Sequence, residues 1–516
     1  MGLTPAPLNA WYLAWIALVP LWLLIVRQKK LFKQFRQTLA IALAWGIGYH
    51  GLALFWITGV HPMTWMGVPW LASLVIAIFC WLFITFWGAA LVVCWSIGMV
   101  VFVSRQPQRH EGTKVFLALL LRVLLGVTFW CVLEKLWSYS PLWWSSLAYT
   151  QSPHNLAILQ LGKISGWTTV TAAIVAVNGL FAEAIIQIKN NKIKLKNKQI
   201  LFFLFPGLLG IGLHLVGLWM YQLPVTQNKE AIKVGIIQGN VPNAIKLYPE
   251  GWRRAIEGYT TGYKKLAKDG VDIVLTPETA LPFYWANIVS DPAKRMLPHR
   301  SSFYQAVLAE KVPAWVGAFG TGERGFTNSL FTLTGTGETF SRYDKYKLVP
   351  LGEYIPLEPI FGRIINRLSP LDARLVPGKR NQIFSTPVGQ AIVGICYESA
   401  FGEHFRRQAA AGGEFIITAS NNAHYSAAMP AQHHAQDVMR AVETDRWSAR
   451  ATNTGHSGIV DPRGRTVWLS DLDRYAIYAG TIYRRQTQTL YVRWGDWLIP
   501  VLVVLGAIAW MSDRRL

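Results

Sequence analysis

A glutamate, a lysine and a cysteine are the parts that covalent acyl transfer needs, and the 516-residue chain carries one of each at a suggestive place. A free thiol titrates at about 8.5, so little thiolate exists at neutral pH and a neighbouring base or cation must activate it. Cys396 closes the apolar run Ala391-Ile-Val-Gly394-Ile-Cys396 and precedes Tyr397 and Glu398, whereas Cys80, Cys94 and Cys131 fall inside long apolar segments. Glu278 follows a second apolar run, 272–276, with Pro277 ending the strand ladder. Lys345 and Glu353 lie in a loop punctuated by Pro350 and Gly352. Singly, each has an ordinary reading: a strand-terminal acid, a solvated lysine, a buried structural cysteine. Jointly, Glu278 can take the thiol proton, and Lys345 can stabilise the thiolate and the tetrahedral oxyanion, aided by a backbone N–H after the nucleophile.

These residues need a scaffold. From Lys233 onward, short β-type runs at 233–238, 272–276, 314–319, 328–333, 390–396 and 414–419 alternate with polar helical stretches at 250–268, 302–311, 403–411 and 432–451. The pattern predicts a layered α/β domain of about 270 residues with its own core. There is no Walker-type glycine loop, no Cys/His spacing suited to zinc and no internal repeat.

The composition of the whole chain excludes a purely soluble enzyme, with 52% hydrophobic residues, 24 Trp and only 15% charged residues. A helix needs about 20 apolar residues to cross the hydrocarbon of a bilayer, which predicts spans near 8–26, 38–58, 71–103, 115–136, 164–188, 200–221 and 494–511. Net charge is +22, yet about 15 of the basic residues sit in four runs, 27–36, 104–114, 189–198 and 513–516. That distribution reads as membrane orientation, with those runs cytoplasmic, and not as nucleic-acid binding. Segments 59–70 and 138–153 carry no Lys, Arg, Asp or Glu and read as outer loops with aromatic anchors. The expected organisation is a helical membrane base at 1–221, an extracytoplasmic domain at 222–493, and a last helix with a basic tail at 494–516. Six spans before the domain put Met1 outside as well, so either the N-terminus is exposed or a further helix precedes it. Two ionisable groups lie within spans: Arg122, expected to snorkel to the nearby interface, and His50, expected to be packed and satisfied.

The motifs Gln238-Gly239-Asn240-Val241-Pro242, Pro277-Glu278-Thr279-Ala280, Leu348-Val349-Pro350-Leu351-Gly352-Glu353-Tyr354-Ile355-Pro356, Cys396-Tyr397-Glu398 and Asn453-Thr454-Gly455-His456-Ser457 carry a resemblance. The chain resembles the nitrilase, or carbon–nitrogen hydrolase, superfamily and, within it, the bacterial apolipoprotein N-acyltransferases. The resemblance implies an α-β-β-α sandwich on a multi-span helical base in the bacterial cytoplasmic (inner) membrane, with the sandwich on the periplasmic side. It implies Cys396 as nucleophile, Glu278 as general base and Lys345 as oxyanion stabiliser. Glu353 would orient Lys345, and Tyr397 and Glu398 would shape the pocket. An acyl chain from a phospholipid donor would pass through a cysteine thioester to the α-amine of a diacylated apolipoprotein acceptor, with no cofactor. Departures from the family pattern are Leu247 after Lys246 in place of Trp, Asn422 and His424 in Ser420-Asn-Asn-Ala-His424-Tyr425, and Trp137 where Glu-x-x-Arg ends. Two other readings are a membrane-tethered amidase or hydrolase, and a transporter or scaffold with a silent outer domain. Sparse intramembrane charge opposes transport, and retention of all four polar site residues opposes a silent domain.

Overall fold

A computed structural model describes residues 1–26, 31–103, 113–189, 198–225, 230–285, 298–323, 325–355 and 375–513. Part of each basic run, and Pro356, lie outside the described residues. Two compact units are present: Met1–Phe55, Ile78–Leu223 and Trp494–Leu516 form one, and Trp56–Ala77 with Pro224–Arg493 form the other.

The first unit is helical. Among the described residues four helices are long and apolar enough to cross a membrane, within Trp70–Phe102, Leu117–Trp137, Trp167–Ile188 and Leu204–Gln222. The expected 33-residue third span is indeed one unbroken helix, Trp70–Val103. The expected first span is not a single helix: a 3₁₀ turn at Trp11–Trp15 is followed by a short α-helix, Val19–Val26. Pro20 explains the break, because proline has no N–H to donate and is accommodated only in a helix's first turn. Arg122 pairs with the buried Glu183 at 3.4 Å, which also accepts from Trp22 Nε1 at 3.1 Å, so Arg122 has a specific partner where snorkelling was expected. His50 is buried with Nδ1 3.2 Å from Ser145 Oγ, as a packed histidine should be. Glu134 accepts from Ser146 Oγ, Leu147 N and Thr171 Oγ1, each at 2.9 Å, and so pins the following loop to the helix Thr113–Trp137.

The second unit is a two-sheet sandwich. Strands β1 (Ala231–Gln238), β2 (Ile273–Leu275), β3 (Leu281–Tyr284), β4 (Ala314–Gly322), β5 (Gly325–Leu333) and β6 (Thr339–Asp344) are followed by β7 (Phe384–Thr386), β8 (Gly389–Ile395), β9 (Phe415–Ser420), β10 (Ser448–Thr452), β11 (Gly458–Val460), β12 (Thr466–Leu469) and β13 (Ala476–Tyr483). One sheet runs β13-β1-β2-β4-β5-β6, with β3 paired to β4, and the other runs β12-β11-β10-β9-β8-β7. Their inner faces meet in one core: Val234, Ile236, Leu275 and Trp315 from the first sheet pack with Val393, Ile395, Ile417 and Ala449 from the second. The helices Pro249–Lys268 and Pro298–Glu310 cover the outer face of the first sheet through Tyr259, Tyr263, Phe303 and Val307. The helix Gly402–Ala410 covers the second through Phe405 and Ala409. Apolar residues alternate or run continuously along these strands because each is buried between layers.

The helix expected at 432–451 stops early. It ends at Thr444, Asp445 turns the chain with φ +55°, and 448–452 is a strand.

Segment 56–77 also belongs to this unit. Trp56 Nε1 donates to Gln432 Oε1 at 3.1 Å, its ring meets Tyr425 edge-on at 5.0 Å, and Tyr248 OH donates to the Trp65 carbonyl at 3.3 Å. At Gly59 a Cβ would stand 2.5 Å from Ser426 N, so only glycine permits this approach.

Candidate active site

The parallel strands β2, β8 and β9 deliver their chemistry where the chain leaves their carboxyl ends, the edge of an α/β sheet at which ligands characteristically bind. Glu278 follows β2, Cys396 follows β8, Asn421 follows β9, and Lys345 directly follows β6. The sandwich therefore brings together residues separated by up to 143 positions.

Glu278 sits on a turn that packs against β4, where a Cβ on Gly317 would lie 2.0 Å from the Pro277 carbonyl. Its Oε1 accepts from Lys345 Nζ at 2.9 Å and from Asn328 Nδ2 at 2.6 Å, while Oε2 accepts from the Asn421 backbone N–H at 2.8 Å. Glu353 mirrors it: Oε1 accepts from the same Lys345 Nζ at 2.9 Å and the same Asn328 Nδ2 at 3.0 Å, and Oε2 takes the Val349 N–H at 2.8 Å. Lys345 is only 1% exposed. Burial alone would drive off its proton, but Glu278 and Glu353 reverse that and hold it well above the ordinary lysine range. Burial alone would likewise raise the Glu278 carboxyl, yet the charge and hydrogen bond of Lys345, with Lys246 and Asn328, hold it below its usual value.

Cys396 is the first residue of a 3₁₀ turn that follows β8 and has φ +52°, a strained conformation for a side chain with a Cβ. The turn is pinned from two directions. His433 Nε2 lies 2.8 Å from the Cys396 carbonyl and Asn422 Nδ2 lies 3.1 Å from His433 Nδ1. Burial, then Arg450, holds His433 well below its usual pKa, which assigns a neutral ring donating from Nε2. Glu398, fully buried, accepts from the Ile395, Tyr346 and Lys347 backbone N–H groups at 2.8, 2.7 and 3.1 Å, and from Tyr343 OH at 2.9 Å. It fastens the turn bearing Cys396 to the loop bearing Lys345. The sequence-level expectation placed Glu398 beside the pocket; the carboxylate is instead spent on this tie. Tyr397 is buried against Phe401, edge-on at 5.1 Å.

Burial, then Glu278, pushes the Cys396 thiol up to about 12, with Lys345 opposing. The resting site is thus a thiol facing a carboxylate, not a preformed ion pair. Such a site can pass the Sγ proton to Glu278 as sulfur attacks a carbonyl and can meet the new oxyanion with Lys345. Among the described residues no group of His, Cys, Asp and Glu is arranged to hold a metal ion.

Asn328, Asn421 and His433 join the site without any role legible in the sequence. Asn421 had a visible signal, an amide following an apolar strand, but Asn328 is a mid-strand amide and His433 one of two adjacent helical histidines.

A family model described as Carbon-nitrogen hydrolase matches residues 230–489, and one described as Apolipoprotein N-acyltransferase N-terminal domain matches residues 1–180. A protein from a Nostoc species named Apolipoprotein N-acyltransferase is 57% identical over 99% of this chain and 97% of its own length. One of the same name from a Synechocystis species is 52% identical over 99% and 98%. Among solved structures, an amidase from a Nesterenkonia species aligns at 18% identity and a TM-score of 0.36, over 50% of this chain and 92% of its own.

Proposed function

Given that the chain belongs to the apolipoprotein N-acyltransferase family, we propose that Cys396 is its acyl-carrying nucleophile, Glu278 its general base and Lys345 its oxyanion stabiliser. The protein is an acyltransferase of apolipoprotein maturation. The observation that carries the assignment is the chain of contacts at one lysine, Glu278–Lys345–Glu353, ending beside a thiol on a left-handed turn.

In the first half-reaction the Sγ proton moves to Glu278, sulfur attacks the ester carbonyl of a membrane phospholipid, and the C–O bond breaks. Glu278 returns the proton to the departing lysophospholipid oxygen, leaving an acyl thioester. In the second, the neutral α-amine of a diacylglyceryl-cysteine attacks the thioester, Glu278 takes the amine proton, the C–S bond breaks and the thiol is restored. An α-amine titrates at about 7.7–8.0, so a usable neutral fraction exists at neutral pH, unlike a lysine side chain at about 10.4. Glu353 and Asn328 hold Lys345 and Glu278 in register, and Glu398 keeps the two loops together.

Discharge of the acyl-enzyme tests this reading. The isolated thioester is expected to persist in detergent, to discharge on addition of a diacylglyceryl-cysteine peptide, and to stand when that peptide's α-amine is acetylated. Equal decay with free peptide, blocked peptide and buffer, releasing fatty acid each time, would replace transfer with hydrolysis.

The catalytic unit is proposed to face the outer side of the cytoplasmic membrane, a reading supported by the alternation of basic and uncharged connections. In a background without native cysteines, an impermeant thiol reagent is expected to label Thr64→Cys and Pro141→Cys from outside intact cells, and not Lys194→Cys. Labelling of Lys194→Cys in intact cells reverses the orientation.

A further inference from the structure

Lys246 closes the short helix Asn243–Lys246, which follows β1. Only 4% of it is exposed, and no step above uses it. Its Nζ donates to Thr279 Oγ1 at 2.8 Å and to the Glu278 carbonyl at 3.2 Å. Thr279 holds φ +45°, a conformation that a β-branched residue rarely adopts without outside support. The lysine thus grips the turn immediately behind the base.

The position is set from the other side by His424. Asn243 Nδ2, at the start of the same short helix, lies 2.6 Å from His424 Nδ1, and Asn421 Nδ2 lies 3.5 Å from Asn243 Oδ1. Burial, then the charge of Lys246, holds His424 at about 4, so it faces Lys246 as a neutral ring. Among the described residues the other ionisable groups around Lys246 are Glu278 and Cys396, with Lys345, Glu353 and Tyr425 behind them. The charged groups among them are two carboxylates and two ammonium groups, beside the thiol, the neutral His424 ring and the Tyr425 phenol.

We propose that Lys246 is a positioning residue for the base: its ammonium fixes the left-handed turn that presents Glu278 and supplies the second positive charge beside which the thiol proton moves. This rests on the assignment of Cys396 and Glu278 above. In the step concerned the S–H bond breaks, the proton joins a Glu278 oxygen, and the electron pair stays on Sγ. Lys246 keeps its own proton throughout. Burial brings that lysine down to about 8, against the opposing pull of Glu278 and Cys396. Below that pH the second charge is present, and above it the charge is lost while both hydrogen bonds remain available to a neutral amine.

Alkylation of Cys396 by iodoacetamide in the full-length protein, with no lipid or amine acceptor present, isolates this effect. At pH 7.5 Lys246→Met is expected to react about tenfold or more slowly than wild type, the effect of raising the Cys396 thiol by about one pKa unit when the neighbouring cation is lost. Lys246→Arg, which keeps the charge, is expected within about threefold of wild type. The wild-type rate should rise with pH and then bend to a shallower slope near pH 8, and Lys246→Arg should rise without the bend. A bare hydrogen-bonding role would give no bend, because the neutral amine still donates. A wild-type profile without a bend overturns the proposal, as does wild-type reactivity in Lys246→Met. Should Lys246→Met fail to fold, the comparison of wild type with Lys246→Arg decides alone. Acyl-enzyme formation in Cys396→Ala would instead bring down the nucleophile assignment, a result independent of how the Lys246 variants behave.

Discussion

Cys396→Ala is expected to acquire no acyl group when incubated with phospholipid, whereas the wild-type protein should gain one hydroxylamine-labile acyl chain on the peptide containing residue 396. This is the largest expected effect, because loss of the proposed nucleophile leaves no route to a thioester. Cys80, Cys94 and Cys131 lie in the helical unit, apart in sequence from the strand-end motifs of the sandwich. The substitution should leave the fold intact. Cys396 is a small buried residue whose turn is held through its carbonyl by His433 and through Ile395 by Glu398, and alanine keeps both bonds. Mass spectrometry of the trapped intermediate, with a thermal melt of the same sample, checks both statements. A stable acyl adduct elsewhere in the Cys396→Ala protein would move the nucleophile.

Lys345→Met is expected to slow formation of the acyl-enzyme by about 10²-fold or more, the scale of losing an oxyanion donor. It also carries a signature in stability. Lys345 Nζ bonds both Glu278 and Glu353, and removing one partner from a buried charge cluster costs about 3–5 kcal/mol. The sign with pH follows from the carboxylates. In the wild type Glu278 is held below its ordinary pKa, so its contribution is present above the unfolded value and is lost only as pH falls through the folded one. Without Lys345, burial dominates and the carboxyl rises above its unfolded value. The variant then loses stability as pH rises, and its deficit should be smallest in mild acid, where the carboxyl is protonated. Melting temperatures of wild type and Lys345→Met from pH 4.5 to pH 8 should therefore diverge with increasing pH. A constant gap would show that the carboxylates do not depend on this lysine.

Much of the sandwich was legible because its strands are buried on both faces and read as continuous apolar runs, as at 391–396 and 414–419. Glu278 and Cys396 were legible for the same reason, since each terminates such a run, and their geometry now joins them through Asn421, whose N–H bonds Glu278 and whose carbonyl lies 4.0 Å from Sγ. The boundary at 445 was hidden. No glycine or proline separates the helix from β10, and Asp445 takes the left-handed turn that glycine usually signals. The short strand β3 falls in Leu281-Pro-Phe-Tyr284, where proline argues against a strand unless it sits at an edge; β3 pairs only with β4, off the main path of the sheet. Glu398 was recognised as a site residue but its direction could not be read, because a carboxylate two residues after the nucleophile can face either the pocket or the loop behind it. The four backbone and hydroxyl donors that fix the answer come from β8, β6 and the loop after it.

The seat of segment 56–77 sets a timetable for synthesis. Trp56 and its partner Gln432 are 376 residues apart. At about 5–20 residues per second, a ribosome delivers Gln432 roughly 20 to 75 s after Trp56. Through that interval the Trp56 indole lacks the glutamine that it meets in the finished protein, whereas the Trp65 carbonyl waits only the 183 residues to Tyr248. The Trp56 ring can therefore take its place only after most of the sandwich has been synthesised, so this contact closes late in the folding of the second unit.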